Sequence, residues 1–199
     1  MLFDLDGVLV DSYEVWFHLV RAAAAHFRGP EVTRSAFAAG WGQGIGSDLE
    51  RWFPGRTVAD VERYYTTHFL DHAAHLRVDP DAYAVLTTLR TAGLRTALVT
   101  NTPSPLARAI LERVRLGLDA VVGGTDVPNA KPAPDIVLAA ARRLGVPLAE
   151  SVMVGDTDFD RAAARAAGVR FAGLRTEGDP TLGALRELLE LPGLLRRPS

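Results

Sequence analysis

The amino-acid sequence predicts an α/β fold, a doubly wound parallel sheet into which an all-helical segment is inserted. From residue 94 onward, short apolar runs of strand length alternate with amphipathic stretches of helix length. That alternation is typical of a parallel sheet covered by helices on both faces. Residues 12–77 show helical periodicity and no convincing strand, so they interrupt the sheet after its first strand. We therefore expect a core domain of residues 1–11 and 78–199 and a helical cap domain of residues 12–77.

Each predicted element follows from its local pattern. Residues 1–5 form a short apolar run that predicts the first strand. In the insertion, apolar residues at helical spacing predict helices over 12–27, 33–39, 48–52 and 57–75, with hinges near 10–12 and 76–81. Beyond it, apolar runs predict strands over 94–100, 119–122, 151–155 and 169–174. Helices are expected over 105–114, 134–144, 158–167 and 182–191.

The composition limits the classes of function. The chain has 199 residues, of which 48% are hydrophobic, and its formal net charge is −2. That charge gives no electrostatic basis for nucleic-acid binding, and the one basic pair, Arg196 and Arg197, is interpreted as a solvated tail. The sequence has no cysteine, which excludes disulfides and thiolate catalysis and fits a reducing compartment. It has no apolar run long enough for a bilayer and no signal region ahead of residue 4, so we expect a cytoplasmic protein that does not enter membranes.

Four polar clusters follow predicted strands. Asp4 and Asp6 follow the first strand, Thr100 and Asn101 lie at the end of the next, and residues 155–160 contain three aspartates. Lys131, the only lysine in the sequence, lies in the loop after the strand predicted over 119–122. Because open α/β sheets bind ligands at the carboxyl ends of their strands, these side chains are expected to gather at one edge.

These residue types supply what phosphoryl transfer requires. One carboxylate can attack phosphorus and carry the group covalently, and a second acid on the same face can protonate the leaving oxygen and then activate water. A hydroxyl and an amide can hold phosphate oxygens, and a lysine neutralises growing negative charge. Further carboxylates can bind Mg²⁺, without which so many acids would repel a phosphate dianion. The clusters therefore predict a magnesium-dependent phosphate site.

Taken together, the four clusters resemble the motifs of the haloacid dehalogenase (HAD) superfamily, in its phosphatase branch. The segment from Asp4 to Ser12 matches the first motif, and Thr100 with Asn101 matches the second. Lys131 within AKPAPD matches the third motif, and GDTDFD matches the acidic fourth. The match covers nearly the whole chain, and four motifs in order are highly specific. The helical insertion is similar to the C1-type cap of phosphoglycolate phosphatase-like members.

The resemblance implies catalytic and metal-binding roles for the acids. Asp4 would be the nucleophile that forms an aspartyl-phosphate, and Asp6 would be the general acid and base. Mg²⁺ would be held by Asp4, by the backbone carbonyl of Asp6 and by Asp156. Asp160 would act on the metal through water or would support Lys131.

The resemblance also assigns the phosphate group to Thr100 and Asn101, with Lys131 pairing with both phosphate and Asp4. For Asp158 two interpretations stay open: a second acid at the metal site, or the N-cap of the following helix. The implied enzyme is a phosphoric monoester hydrolase. Its substrate would be a small organic phosphomonoester, of the phosphoglycolate or sugar-phosphate type.

Two alternatives to a phosphatase stay open. Sugar phosphomutases of this branch carry a cap histidine five residues after the position of Asp11, and Trp16 stands there instead. A non-catalytic regulatory or binding protein on the same scaffold is disfavoured by the intact motif residues. Phosphonate-cleaving relatives use a cap lysine, and residues 12–77 contain none.

The glycine-rich stretch over residues 40–46 carries the remaining candidate residues. One interpretation is a flexible loop that faces the site and places Trp41 and Gln43 near the substrate. The other is a plain turn between two helices of the insertion. The expected partner is a small-molecule phosphate ester, and the sequence leaves monomer and homodimer open.

Overall fold

The computed structural model describes residues 1–191 and contains a six-stranded sheet and a two-stranded ribbon. The strands are β1 (Leu2–Phe3), β2 (Val10–Asp11), β3 (Arg77–Val78), β4 (Ala97–Thr100), β5 (Ala120–Gly123), β6 (Val152–Gly155), β7 (Arg170–Leu174) and β8 (Thr181–Leu182). The α-helices are α1 (Tyr13–Phe27), α2 (Arg34–Ala38), α3 (Ile45–Trp52), α4 (Val58–His68), α5 (Ala82–Thr91), α6 (Ser104–Val114), α7 (Asp135–Leu144) and α8 (Asp158–Ala167). Short 3₁₀ segments cover Phe69–His75, Gly124–Asp126, Leu148–Glu150 and Leu185–Glu190. The basic pair Arg196 and Arg197 lies outside the described residues.

The main sheet is parallel and its strand order is β5-β4-β1-β6-β7-β8. β1 is central, since Leu2 pairs with Ala97 of β4 on one side and with Met153 of β6 on the other. The chain builds one half of the sheet outward from β1 and then returns to build the other half. That reversal opens a crevice beyond the carboxyl end of β1. The prediction of a doubly wound α/β fold is confirmed.

Helices cover both faces of the sheet. Successive strand residues point to opposite sides and therefore pack against different helices. Leu2 belongs to an apolar cluster with residues of α7 and α8, such as Ile136 and Ala163. Phe3 belongs to a second cluster with residues of α5 and α6, such as Leu89 and Ile110. The sheet is therefore buried on both sides, and the polar side chains collect beyond the strand ends.

Helices α1–α4 lie in the insertion, and every strand of the main sheet lies outside it. α1 is amphipathic, with Val15, Leu19 and Ala23 buried at helical spacing. The prediction that residues 12–77 hold no strand is wrong at Arg77, because β3 pairs antiparallel with β2. The two predicted hinge segments are therefore joined to each other by this ribbon.

The helix predicted over 182–191 is wrong. Thr181–Leu182 forms β8 and Leu185–Glu190 forms a 3₁₀ helix. Within the 3₁₀ helix, Leu185 and Leu188 are buried three residues apart, which is one turn of such a helix. The helix predicted over 57–75 likewise becomes a 3₁₀ segment from Phe69 onward.

Helix α5 has no counterpart in the sequence prediction. Its buried residues have the spacing of an amphipathic helix and pack under the sheet; they are Ala82, Val85, Leu86 and Leu89. Within the described part of the chain, no helix has both the length and the apolar character needed to cross a membrane.

Candidate active site

Polar side chains meet beyond the carboxyl ends of the three adjacent strands β4, β1 and β6. Asp4 directly follows β1, Thr100 ends β4, and Asp156 directly follows β6. Lys131 comes from the loop between β5 and α7 and is buried beside them. The strand order therefore brings together residues that are far apart in the sequence.

Lys131 holds two carboxylates of the site. Its Nζ lies 2.8 Å from Asp4 Oδ1 and 2.6 Å from Asp160 Oδ1, and it donates to the Val99 carbonyl oxygen at 3.2 Å. Burial alone would lower the pKa of Lys131, but the carboxylates of Asp160 and Asp4 raise it above its ordinary value. Lys131 is therefore a constant positive charge between two acids.

Asp4 lies in a setting that disfavours its charged form. Burial raises the pKa of Asp4, Lys131 opposes this, and Asp160 and Asp156 add to the rise. The cation on Lys131 is thus the main protein group that keeps Asp4 available as an anion, which a nucleophilic carboxylate must be.

Asp4, Asp156 and Asp160 form a compact acidic cluster. One carboxylate oxygen from each lies within 4.8 Å of the others. Burial, followed by the charge of Asp160, raises the pKa of Asp156 to about 7. Asp156 Oδ1 is buried without a hydrogen-bond partner among the described residues, which is costly unless a cation satisfies it. Hard oxygen donors with one unsatisfied atom fit Mg²⁺.

Gly7 allows the loop after β1 to approach this cluster. Its φ is +80°, a conformation that side chains disfavour, and a Cβ there would lie 2.0 Å from Asp156 Oδ2. The loop that carries Asp6 therefore depends on glycine at this position for its closeness to Asp156.

Asp160 supports Lys131 rather than pointing freely into the cluster. Its Oδ1 accepts from Lys131, and its Oδ2 accepts from the Thr157 amide at 3.0 Å and the Thr157 hydroxyl at 2.5 Å. Asp158 is exposed and pairs with Arg161 at 2.7 Å. The N-cap interpretation of Asp158 is wrong, because Thr157 is the N-cap of α8 and Asp158 is the first helical residue.

The carboxylate of Asp6 lies outside the acidic cluster and is held by three side-chain donors. Its Oδ1 accepts from the Trp16 indole Nε1 at 2.9 Å and from the Ser12 hydroxyl, and its Oδ2 accepts from the Thr102 hydroxyl at 2.7 Å. None of these three donors was predicted from the sequence. Ser12 lies in the first motif and Thr102 directly follows the second, which was a usable signal, whereas nothing in the sequence around Trp16 indicates a bond to Asp6.

The two predicted phosphate ligands, Thr100 and Asn101, differ in whether their side-chain donor is free to reach a phosphate. Thr100 Oγ1 accepts from the Thr102 amide at 3.2 Å, which leaves its own hydrogen to donate into the cavity. The Asn101 side chain instead bonds the backbone of Lys131. Its Oδ1 accepts from the Lys131 amide at 2.8 Å, and its Nδ2 donates to the Lys131 carbonyl at 3.0 Å. Nδ2 also donates to the Gly42 carbonyl at 3.0 Å. The Asn101 side chain therefore fixes the lysine loop and meets the insertion.

A cavity of about 70 Å³ lies between this edge of the sheet and the insertion. Trp41 lines it, together with Asp4, Asp6 and Thr100. Gln43 does not line it, because its side chain bonds the Ala39 carbonyl and the Ser47 hydroxyl. The glycine-rich stretch thus faces the cavity through Trp41 and the neighbouring glycines.

The sequence profile of the haloacid dehalogenase-like hydrolases matches residues 1–174. The chain belongs to this family. A phosphoglycolate phosphatase of Cereibacter sphaeroides is 34% identical, with 99% of this chain and 97% of the relative covered. A plasmid-borne phosphoglycolate phosphatase of Cupriavidus necator is also 34% identical, with 98% and 92% covered. The HAD resemblance predicted from the four motifs is confirmed.

Solved structures share the fold of this HAD-like hydrolase. CbbY from Rhodobacter sphaeroides, in complex with phosphate, superposes with a TM-score of 0.82 at 24% identity, covering 94% of each chain. A phosphoglycolate phosphatase-type protein from Lactobacillus plantarum superposes with a TM-score of 0.79 at 17% identity, covering 95% and 96%. With its curated relatives, this places the chain among the phosphatases of the HAD family.

Proposed function

We propose that the chain is a Mg²⁺-dependent phosphatase that hydrolyses a small organic phosphomonoester through an aspartyl-phosphate on Asp4. The observation that carries the proposal is the buried bridge of Lys131 between Asp4 and Asp160 beside the unsatisfied Asp156. The relatives named phosphoglycolate phosphatase support a small substrate, of the phosphoglycolate or sugar-phosphate type.

In the first step, an Asp4 carboxylate oxygen attacks phosphorus, and the bond from phosphorus to the leaving alcohol oxygen breaks. Asp6 gives a proton to that oxygen, so the alcohol leaves neutral. Thr100 donates to a phosphate oxygen, and Lys131 offsets the negative charge that builds up between phosphate and Asp4.

In the second step, Asp6 takes a proton from water, and the water oxygen attacks phosphorus. The bond from phosphorus to Asp4 breaks, which releases inorganic phosphate and restores the carboxylate. Both steps need an Asp6 side chain of fixed direction, which Trp16, Ser12 and Thr102 provide. The same residue acts first as an acid and then as a base.

Asp4 and Asp156, with the backbone carbonyl of Asp6, are the residues that would hold Mg²⁺. When bound, the ion neutralises phosphate charge that the acidic cluster would otherwise repel. The insertion, residues 12–77, acts as a cap domain over the core of residues 1–11 and 78–199. It excludes water during the reaction and opens for product release.

Phosphate release from small phosphomonoesters, with Mg²⁺ and with EDTA, tests this function. We expect Mg²⁺-dependent release that falls more than about 10³-fold in Asp4→Asn, since the nucleophile is lost. Asp158→Asn is the control, because Asp158 is an exposed acid of the fourth motif whose side chain pairs, among the described residues, with Arg161, and it should keep wild-type activity.

Wild-type rates in Asp4→Asn, or full activity in EDTA, would contradict the proposal. A mutase would instead isomerise a sugar phosphate without net phosphate release. Assaying both products in one reaction separates the two functions.

A further inference from the structure

The side of the cavity formed by the insertion carries one acidic side chain among the described residues. Asp48 of α3 lines the cavity, and its Oδ2 accepts a hydrogen bond from the Tyr65 hydroxyl of α4 at 2.7 Å. Its Oδ1 has no hydrogen-bond partner within residues 1–191. It is not one of the fully buried polar atoms, so it remains accessible to a ligand. One carboxylate oxygen is therefore held and the other is open.

Positive charge is scarce in this cavity. Among the described residues that line it, Lys131 is the only cation, and it is engaged by Asp4 and Asp160 at the phosphate end. Arg51, on the same helix as Asp48, does not line the cavity, since its guanidinium donates to the Ala36 carbonyl and lies 5.5 Å from the Trp52 ring. A carboxylate on the leaving group would face Asp48 without a partner, which is unfavourable.

Besides Val20, Ile45 and three glycines, the insertion contributes four aromatic residues to the cavity lining. Trp16, Phe37, Trp41 and Tyr65 all line the cavity, and the ring of Trp16 meets that of Tyr65 edge-on at 5.3 Å. Aromatic rings beside a carboxylate bind hydroxylated or ammonium groups well, through apolar contact with the carbon chain and attraction to a cation. The faces of these rings carry partial negative charge and do not attract an anion.

The surroundings of Asp48 also disfavour its charged form. Burial raises the pKa of Asp48 to about 6, and the Tyr65 hydrogen bond and the charge of Arg51 only partly offset that rise. A carboxyl group kept in an unfavourable setting inside a cleft is a candidate binding group. The cavity of about 70 Å³ has room for only a few heavy atoms besides phosphate.

We propose that Asp48, oriented by Tyr65, binds a hydrogen-bond donor on the leaving alcohol. The preferred substrates are then small alcohol phosphates whose far end carries a hydroxyl or an ammonium group, and carboxylate-bearing esters are disfavoured. This inference rests on the proposed phosphatase function and selects the substrate within it.

The test compares kcat/KM for three esters of similar size: ethanolamine phosphate, glycerol 3-phosphate and phosphoglycolate. In the wild type, we expect phosphoglycolate to be about tenfold or more below the better of the other two. Asp48→Asn keeps the shape and an acceptor but removes the charge. It should lower the ethanolamine phosphate value about tenfold, lower glycerol 3-phosphate no more than about threefold, and raise phosphoglycolate.

The size of the Asp48→Asn effect shows whether Asp48 favours an ammonium or a hydroxyl group. An ammonium group is attracted by the negative charge, whereas a hydroxyl group needs only an acceptor. Tyr65→Phe should weaken discrimination in the same direction by releasing Asp48. Glu50→Gln changes an exposed acid on the same helix and should leave all three values unchanged. A wild-type preference for phosphoglycolate, or equal effects of Asp48→Asn on all three esters, would overturn the inference.

Acetyl phosphate, which has no charged far end, separates this inference from the proposed function. Release from acetyl phosphate that requires Asp4, without the expected order among the three esters, overturns the assignment of Asp48 alone. If none of the four compounds is hydrolysed with Mg²⁺, the phosphatase function fails and the inference fails with it.

Discussion

At the scale of single residues, the site consists of acids placed where water is scarce. Asp4 is controlled by Lys131, Asp160 by Lys131 and Thr157, and Asp6 by three neutral donors. Each partner fixes the direction of its acid, and Lys131 also favours the charged form of Asp4. Chemical identity alone therefore does not separate the aspartates; their partners do.

Asp48 gives a prediction about stability and pH. Its folded-state pKa of about 6 lies above the ordinary 3.8, so the folded protein binds the proton more tightly than the unfolded chain. The stabilisation is fully present below pH 3.8 and is lost as pH rises through about 6. We expect the free energy of unfolding of Asp48→Asn, relative to wild type, to rise by about 2 kcal/mol between pH 4 and pH 7.5.

Urea unfolding of both proteins at several pH values measures this gain. Because the shift comes mainly from desolvation rather than from a neighbouring charge, salt should change this gain little. A difference between the two proteins that is constant from pH 4 to 7.5 would show that Asp48 titrates normally.

At the scale of elements, the first turn of α1 links the insertion to the catalytic loop. Ser12 precedes this helix and Trp16 lies one turn into it, and both donate to Asp6 Oδ1. A movement of the insertion relative to the core would therefore be transmitted to the direction of the Asp6 carboxylate.

Trp16→Phe tests this link. The substitution keeps the aromatic ring against Tyr65 but removes the donor to Asp6. Because a hydrogen bond to a charged group contributes about 1.5–3 kcal/mol, we expect kcat to fall at least about tenfold with little change in KM. Steady-state kinetics on the best substrate give both values.

Trp52→Phe is the control for that substitution, since Trp52 is equally buried in the insertion but does not line the cavity. If both variants lose the same activity, the effect comes from packing of the insertion. If neither does, Trp16 has no role in positioning Asp6.

The elements also show which parts of the site can be predicted from sequence. Asp4, Thr100 and Asp156 are predictable because each directly ends or follows a buried strand, and parallel strands share one carboxyl edge. Trp16 and the Asp48–Tyr65 pair depend on how the helices of the insertion pack, which hydrophobic periodicity does not specify. The same periodicity predicts an α-helix over 182–191, where the chain instead forms β8 and a short 3₁₀ helix.

At the scale of the whole molecule, the cavity exists only where the insertion contacts the sheet edge. The segment around Gly42 and Gly44 forms part of that contact, since Asn101 Nδ2 donates to the Gly42 carbonyl and the Asn101 side chain packs against Gly44. Asn101 also bonds the backbone of Lys131. One side chain therefore connects the closed position of the insertion to the lysine loop.

Gly44→Ala tests whether the closed position of the insertion contributes to turnover in a protein that still folds. Gly44 has φ +81° and ψ −179°, a region that only glycine adopts readily, and a Cβ there would lie 3.2 Å from Asn101 Cβ. The segment must shift away from Asn101, so we expect kcat/KM to fall about tenfold or more while the core sheet stays folded. Gly46→Ala is the matched control, because Gly46 lies in α3 with nothing within 4 Å of its Cβ position, and alanine favours the helix. Kinetics and circular dichroism on both variants decide the matter: equal activities would show that the closed contact at Asn101 does not contribute to turnover.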